Sequence, residues 1–381
     1  MYNGNSYRQR NARWPVVLAV SVFLIIVVAG GLMATNYKHF GNLIKVIYLV
    51  KGQYLEPVDA TALVDGSIRG IVDSLNDPYS VYLDPKTFAQ LQDQIRGSFG
   101  GLGILVGVKD ELLTVVRSYE GTPAAREGIK AGDRIVTIDD IDARGIDLDT
   151  AIGLMRGPVG SSIQLTVERE NQPKPLEFNL VREQISVPTV EGQLVQDTGI
   201  GHVLISQFTE NTPDELEDVL YSLQGQGMRG LVLDLRDNPG GELKSAVKVA
   251  DNFMPAGPVV FVDYRVGRDE SFNAGESHLK IPLAVLVNGG SASAAEIVAG
   301  AIKDSDTGVL VGTKTFGKGI VQTVFPLDQG AGLKMTTARY LTPSGHFIHN
   351  KGIEPHIVVE QEPGAEVDLQ LERAMELVVG R

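Results

Sequence analysis

The sequence predicts an α/β protein with a largely parallel sheet, and three observations carry that prediction. After about residue 183, strand-like apolar runs (IGHVLISQF, GLVLDLR, PLAVLVNG, GVLVGT) alternate with helical segments at Pro213–Gln224, Glu242–Phe253 and Ala294–Lys303. Such alternation marks strands joined by helical crossovers. From Gly97 to about Arg182 the texture is instead one of short alternating runs punctuated by glycine (SFGGLGILVGV, LLTVVRSY, DRIVTIDD, SSIQLTVERE), a small β-rich unit carrying two helices. At 381 residues with 43% hydrophobic content, the chain is long enough for several compact units.

Taken in order, residues 1–14 are a short basic N-terminus with Arg8 and Arg10, joined by Arg13, and no acid. Residues 15–34 (PVVLAVSVFLIIVVAGGLMA) run without a charge. About 20 apolar residues is the length a helix needs to cross a bilayer, and arginines before it favour a cytoplasmic N-terminus. A retained single-pass anchor is expected, with everything after it on the outer side of a bacterial-type plasma membrane. The rival, a cleaved signal peptide, has a shorter apolar core of about 7–15 residues and a small-residue cleavage site, neither of which fits here. Residues 37–96 show helical spacing over Asn42–Tyr54 and Ala62–Leu75 and a DPYSVYLDP turn. The apolar faces Leu43, Ile44, Ile47, Tyr48 and Leu63, Ile68, Ile71, Val72, Leu75 call for burial against the main body or a second subunit, and both remain open. The chain ends in paired strands (VQTVFPL, LKMTTARYLT), a turn at Pro343–Gly345 and an amphipathic helix near Val367–Val378.

Composition excludes several chemistries. With 47 acidic against 34 basic side chains the net charge is −13, which repels phosphate backbones, so nucleic acid is not an expected partner. The absence of cysteine removes thiol nucleophiles, disulfides and thiolate metal sites. No HExxH motif or phosphate loop appears, so neither a metal nor a cofactor is expected.

The passage NGGSASAAE sets small residues and two serines at the start of the helix Ala294–Lys303. A helix N-terminus stabilises an oxyanion forming beside it. Ser293-Ala-Ala-Glu296 is equally a capping box with Ser293 as a plain N-cap, and the pattern alone favours that reading. Twenty-five residues on, TFGKGIVQ holds Lys318 between glycines at the entrance to a strand. A lysine whose burial depresses its pKa can act as base to a serine; an ordinary loop lysine is only a solvated charge. Gln322 falls on the same side of an extended strand as Lys318, about 13 Å away if the strand is straight, so the chain must bend, with Gly319 as the expected point. In GLVLDLRDNPGGE an apolar strand ends in glycines whose N–H groups suit an oxyanion; as a bare signal the same residues mean a loop.

These residues resemble the C-terminal processing (tail-specific) peptidases of bacterial envelopes and chloroplasts. SASAAEI, TFGKGIVQ, DLRDNPGG, TPSGHFIHNKGIEP and the PDZ-like GLGI and AGDRIVTIDD occur in that family's order, from roughly Leu43 to the C-terminus. The resemblance implies a crotonase-like peptidase core over 183–381, a PDZ domain inserted over 97–182, Ser293 (rather than Ser291) as nucleophile, Lys318 as general base and Gln322 as the residue that positions it. It also implies an oxyanion hole from the N–H groups of Gly240 and Ala294, and it leans toward a homodimer. In the PDZ unit the turn Gly100-Gly101-Leu102-Gly103 would cradle a terminal carboxylate, and the strand from Ile104 would pair with an extended tail. Arg156 stands where the family often couples peptide binding to activity. Ala295 and His356 depart from the usual residues without touching these roles. The expected partners are proteins or peptides with free C-terminal tails. Two rivals remain: an inert PDZ adaptor or sensor of protein C-termini, and an acyl-CoA enzyme on the same core fold, the latter ill suited to an outer address and a PDZ insert.

Overall fold

The computed structural model describes residues 41–109, 112–362 and 364–379, and the chain divides into two compact units, Met1–Asn76 and Asp77–Arg381. The expected span over 15–34 lies outside the described residues; among those described, no helix is long and apolar enough to cross a membrane.

In the first unit, residues 41–53 are helical and a second helix covers Ala60–Asp73, its N-cap Asp59 accepting from the Ala62 N–H at 3.3 Å. Of the apolar faces expected to be covered, only Val72 is buried; Leu43, Ile44, Tyr48, Ile71 and Leu75 are exposed. Two helices alone are too small an assembly to enclose their own apolar stripes. Residues 77–96, grouped with these helices by their spacing, fold instead with the second unit, including the helix Pro85–Arg96.

The second unit is built on a six-stranded sheet in the order Val190–Val195, Ile200–Ile205, Gly230–Asp234, Leu283–Val287, Val309–Gly312, Ile357–Val358. All neighbours are parallel except the first, antiparallel pair. Strands buried on both faces read as continuous apolar runs, and LAVLV and GLVLD do. Alternation divides them: Leu231, Leu233, Val285 and Val287 join the core under the helices Thr212–Gly225, Leu243–Asp251 and Ala294–Asp304, whereas Val232, Ala284 and Leu286 face the helix Leu369–Val379. His356 fits as a strand-edge partner, its Nδ1 accepting from the Leu310 N–H at 2.9 Å.

A second, antiparallel sheet packs on the same helices. Its strands are Val81–Leu83, Gly332–Leu341, Gly257–Tyr264 and Glu270–Ala274, with Ile320–Pro326 added along Gly332–Leu341. The hairpin Gly257–Tyr264/Glu270–Ala274 was not among the expected elements. The β-rich insert forms its own sheet, Ile104–Lys109, Leu112–Ser118, Arg134–Ile138, Ser162–Glu168, Leu176–Val181, around an apolar core that includes Leu102, Val115, Ile135 and Leu165. Its entry and exit are joined in a two-stranded neck, Ser98–Gly101 against Glu183–Ser186. Buried Arg182 at that neck donates to the carbonyls of Leu154, Met155 and Ser162, so it caps the end of the helix Leu148–Met155.

Arg236 closes the carboxyl end of the central strand. Its guanidinium meets Asp234 at 2.6 Å and Asp368 at 2.8 Å, fastening the C-terminal helix to the sheet. Burial alone would raise the Asp234 pKa, but His202 and Arg236 outweigh it and hold the carboxyl below its usual range; at Asp368, too, Arg236 overcomes burial. Such depressed acids contribute stability that is full above an unfolded pKa of about 3.9 and is lost as pH falls through the folded value. Arg236→Ala is expected to lower the unfolding free energy by about 3 kcal/mol at neutral pH, because it leaves Asp234 buried without its cation. Urea titrations at successive pH values check this, and the gap to wild type should narrow as the acid window is crossed.

Candidate active site

Three neighbouring parallel strands deliver the loops of interest from their carboxyl ends, the usual side for ligands in such sheets. Gly230–Asp234 leads into Asn238-Pro239-Gly240-Gly241, Leu283–Val287 into the serine turn, and Val309–Gly312 into the lysine loop.

Asn238 locks the first two loops together. Its side chain donates to the Ile205 carbonyl at 2.7 Å, and its own carbonyl accepts from the Ala292 N–H at 2.9 Å. Gly240, at φ 98, lies so close to the serine turn that a Cβ would stand 2.7 Å from both the Ala292 oxygen and the Ser293 Cβ. The two serines then separate in role. Ser291 is fully buried, with its hydroxyl donating to the Leu235 carbonyl at 2.7 Å and accepting from the Asn288 N–H at 2.9 Å. Ser293 is half-buried and lines a cavity of 320 Å³ with Ala294, Gln322, Leu243 and Tyr340. Its backbone, at φ 55 and ψ −114, is in neither the extended region of an ordinary N-cap nor the helical one. That is a strained conformation for a residue with a Cβ, of roughly 1–3 kcal/mol.

Glu296, one turn into the helix, accepts from the Ser293 N–H at 2.9 Å, the acid half of the expected capping box. It also receives the N–H groups of Gly317 and Lys318, each at 2.8 Å, and the Thr315 hydroxyl at 2.6 Å. The single hydroxyl proton of Tyr340 is shared between the Ser293 carbonyl, at 3.0 Å, and the Lys318 carbonyl. Burial holds the Tyr340 pKa well above 10, so it remains a donor.

The Lys318 amine is half-buried, and no carboxylate pairs with it among the described residues. Burial lowers its pKa, the charge of Lys334 lowers it further, and Glu296 pulls partly the other way. Its Nζ stands 4.9 Å from the centre of the Tyr79 ring. Among the described residues no hydrogen bond joins it to Ser293, and Gln322 donates to the Ile320 carbonyl at 3.5 Å. Ser293, Ala294 and Gln322 thus share a cavity whose lining does not include Lys318 or Gly240. The Gly240 N–H is engaged by Asn238 Oδ1 at 2.8 Å, whereas the Ala294 N–H, first in its helix, has no intrahelical acceptor. The strand's irregularity falls between Val321 and Gln322 rather than at Gly319. Gly319 and Gly317 serve another contact: a Cβ on either would meet the backbone of residues 349–352.

In the insert, Gly101, Leu102, Gly103, Ile104 and Arg156 line one pocket of 270 Å³ beside the open edge of Ile104–Lys109. The Arg156 guanidinium stacks 4.0 Å over the Phe99 ring. Both residues also line a second cavity, of 630 Å³, which reaches Gln207 and Lys334 of the main body. Tyr79 and Lys334, both beside the amine of Lys318, carried no signal in the sequence as site residues.

With this geometry in view, similarity to known proteins is extensive. The profile of Peptidase family S41 matches residues 199–359, that of a PDZ domain 114–169, and that of the activating protease CtpB N-terminal domain 31–87. A carboxy-terminal-processing protease of Bartonella bacilliformis is 40% identical over 360 residues, spanning 91% of this chain and 82% of the relative. Carboxy-terminal processing protease CtpB of Bacillus subtilis is 37% identical over 328 residues, spanning 85% of this chain and 68% of the relative. Among solved structures, a photosystem II D1 C-terminal processing protease superposes with a TM-score of 0.50 at 30% identity, covering 88% of this chain and 90% of that one. Identity and coverage of this order, together with a PDZ insert on an α/β core, mean that the chain belongs to the carboxy-terminal processing proteases of Peptidase family S41.

Proposed function

We propose that this chain is a serine endopeptidase, tethered to the outer face of a membrane through residues 15–34, that takes substrates by their C-terminal tails. The observation that carries the reading is the Lys318 amine: half-buried, without a carboxylate partner, and lowered in pKa by that burial. A lysine so placed holds its lone pair far more readily than one in water. The tail carboxylate sits at the turn 100–103 and the tail extends along Ile104–Lys109, while the segment to be cut lies in the Ser293 cavity.

In the reaction the Lys318 amine leaves Tyr79, is oriented by Gln322, and takes the Ser293 hydroxyl proton as Oγ attacks the peptide carbonyl. The proton passes to the leaving amine as the C–N bond breaks, giving an ester on Ser293. Water, deprotonated by the same amine, then releases the new C-terminal acid. The Ala294 N–H and the helix behind it stabilise the oxyanion. The Gly240 N–H joins it once it exchanges the Asn238 oxygen for the substrate's.

Three sets of outcomes are expected, the first for the catalytic pair and its pH dependence. Ser293→Ala and Lys318→Ala each abolish fragment formation from a loosely folded protein, read by mass spectrometry; full cleavage by either variant overturns the assignment. Wild-type kcat/KM should rise with pH along an acid limb set by the lowered Lys318 pKa, because only the neutral amine works. Second, a peptide with a free C-terminal carboxylate should compete for the groove in fluorescence anisotropy where its amidated form does not. Third, Gly240→Ala is expected to cut kcat by about 10²-fold by displacing the serine turn, with tail binding unchanged.

A further inference from the structure

The buried carboxylate of Glu296 has more partners than helix capping requires. A cap needs one acceptor for the Ser293 N–H. The other three donors, Thr315 Oγ1, Gly317 N–H and Lys318 N–H, come from a loop 19 to 22 residues further along the chain. One oxygen, Oε2, is shared by the N–H groups of Ser293 and Lys318, the residues read above as nucleophile and base. The Tyr340 hydroxyl repeats the arrangement on the carbonyl side, reaching Ser293 O and Lys318 O. Both segments are therefore pinned at donor and acceptor ends through two side chains, of which Tyr340 lines the Ser293 cavity and Glu296 does not.

Resting on the Ser293/Lys318 reading, we propose that Glu296 is a positioning residue of the peptidase centre: it fixes the backbone of nucleophile and base in one register, with Tyr340 completing the clamp, and its charge acts on the Lys318 amine. The groups acting on that amine are Tyr79 from the segment after Asp77, Lys334 from the strand Gly332–Leu341 and Glu296 from the serine helix, while Tyr340 meets the Lys318 carbonyl and His349 lies against the backbone at Gly319. Of these, Lys334 pushes the amine toward its neutral form and Glu296 toward its charged one. The carboxylate thus tethers the loop and pulls against burial and Lys334, which lower the amine's pKa.

The two effects separate by substitution in the full chain, with labelled casein as substrate and circular dichroism as the check on folding. Glu296→Gln keeps the length but turns one acceptor into a donor that faces N–H groups. It should lower kcat by about 10²-fold with little change in KM, since a misplacement near 1 Å has that effect. With the negative charge gone, the acid limb of kcat/KM should also move to lower pH. Glu296→Asp keeps the charge and shortens the reach, so kcat should fall with the limb in place. A folded Glu296→Gln with wild-type kcat, or with reduced kcat and an unmoved limb, overturns the proposal. If Glu296→Gln does not fold, Tyr340→Phe decides: a fall in kcat at unchanged KM supports the clamp, and wild-type kcat overturns it. Lys318→Ala run in parallel separates the two ideas, because activity surviving in it refutes the Ser/Lys reading whatever Glu296 does.

Discussion

Glu296 is fully buried, and four donors converge on its two oxygens, with no salt bridge to it among the described residues. An isolated carboxylate in such a place is strongly unfavourable. Hydrogen bonds to a charged group contribute about 1.5–3 kcal/mol each, so four of them offset that penalty only if all are made together. The consequence is a cooperative knot. The serine turn and the lysine loop supply the donors and the helix start supplies the acceptor, and a shift of one strands a charge in the protein interior. That surplus is what holds Ser293 at φ 55, since a strained backbone persists only where its surroundings over-determine it.

The knot sits where it does because of sheet topology. Adjacent parallel strands end side by side, so loops separated by dozens of residues emerge within hydrogen-bond reach of one another. Asn238 exploits the same adjacency, tying the Gly240 turn to Ala292 and to the end of Ile200–Ile205. The antiparallel sheet contributes from above: Gly332–Leu341 carries both Tyr340, which braces the knot, and Lys334, which faces the amine and the cavity shared with Arg156. One strand therefore touches the serine turn, the lysine and the approach from the PDZ neck.

Periodicity and turn chemistry made most of this fold legible. Continuous apolar runs marked the doubly covered strands, and Leu283–Val287 falls where its residues said it would. The hairpin Gly257–Tyr264/Glu270–Ala274 escaped because its first strand follows the helix Leu243–Asp251 after only a short connection and its second, ESFNA, has little apolar alternation. At the site, Ser293 and Glu296 were visible as a capping box, a local pattern. The three further donors to Glu296 arise from a loop brought in by the tertiary fold, and no spacing rule encodes them. Lys318 could be singled out by its glycine frame, but those glycines answer to the backbone of residues 349–352. Gly101, Leu102, Gly103 and Ile104 could be named together because they are continuous in sequence, and they do line one pocket, whereas the stacking of Arg156 on Phe99 spans 57 positions and is not legible in that way.

The position of the Lys318 amine follows from competing demands on one group. In the proposed role of base it must be neutral, which burial and Lys334 favour. Over the Tyr79 ring the charged form is favoured instead, because a cation is drawn to the face of an aromatic ring by about 0.5–2 kcal/mol. Free energies of that size correspond to population ratios of roughly tenfold, so the resting place is held lightly. Under the proposed mechanism, departure from the ring toward Ser293 and loss of the proton reinforce each other, since each removes the reason for the other's opposite. Arginine in the same loop would stack as well and never release its proton. Lysine is the residue that permits both states, provided that the backbone beneath it does not move, and that is the condition the Glu296 and Tyr340 bonds impose.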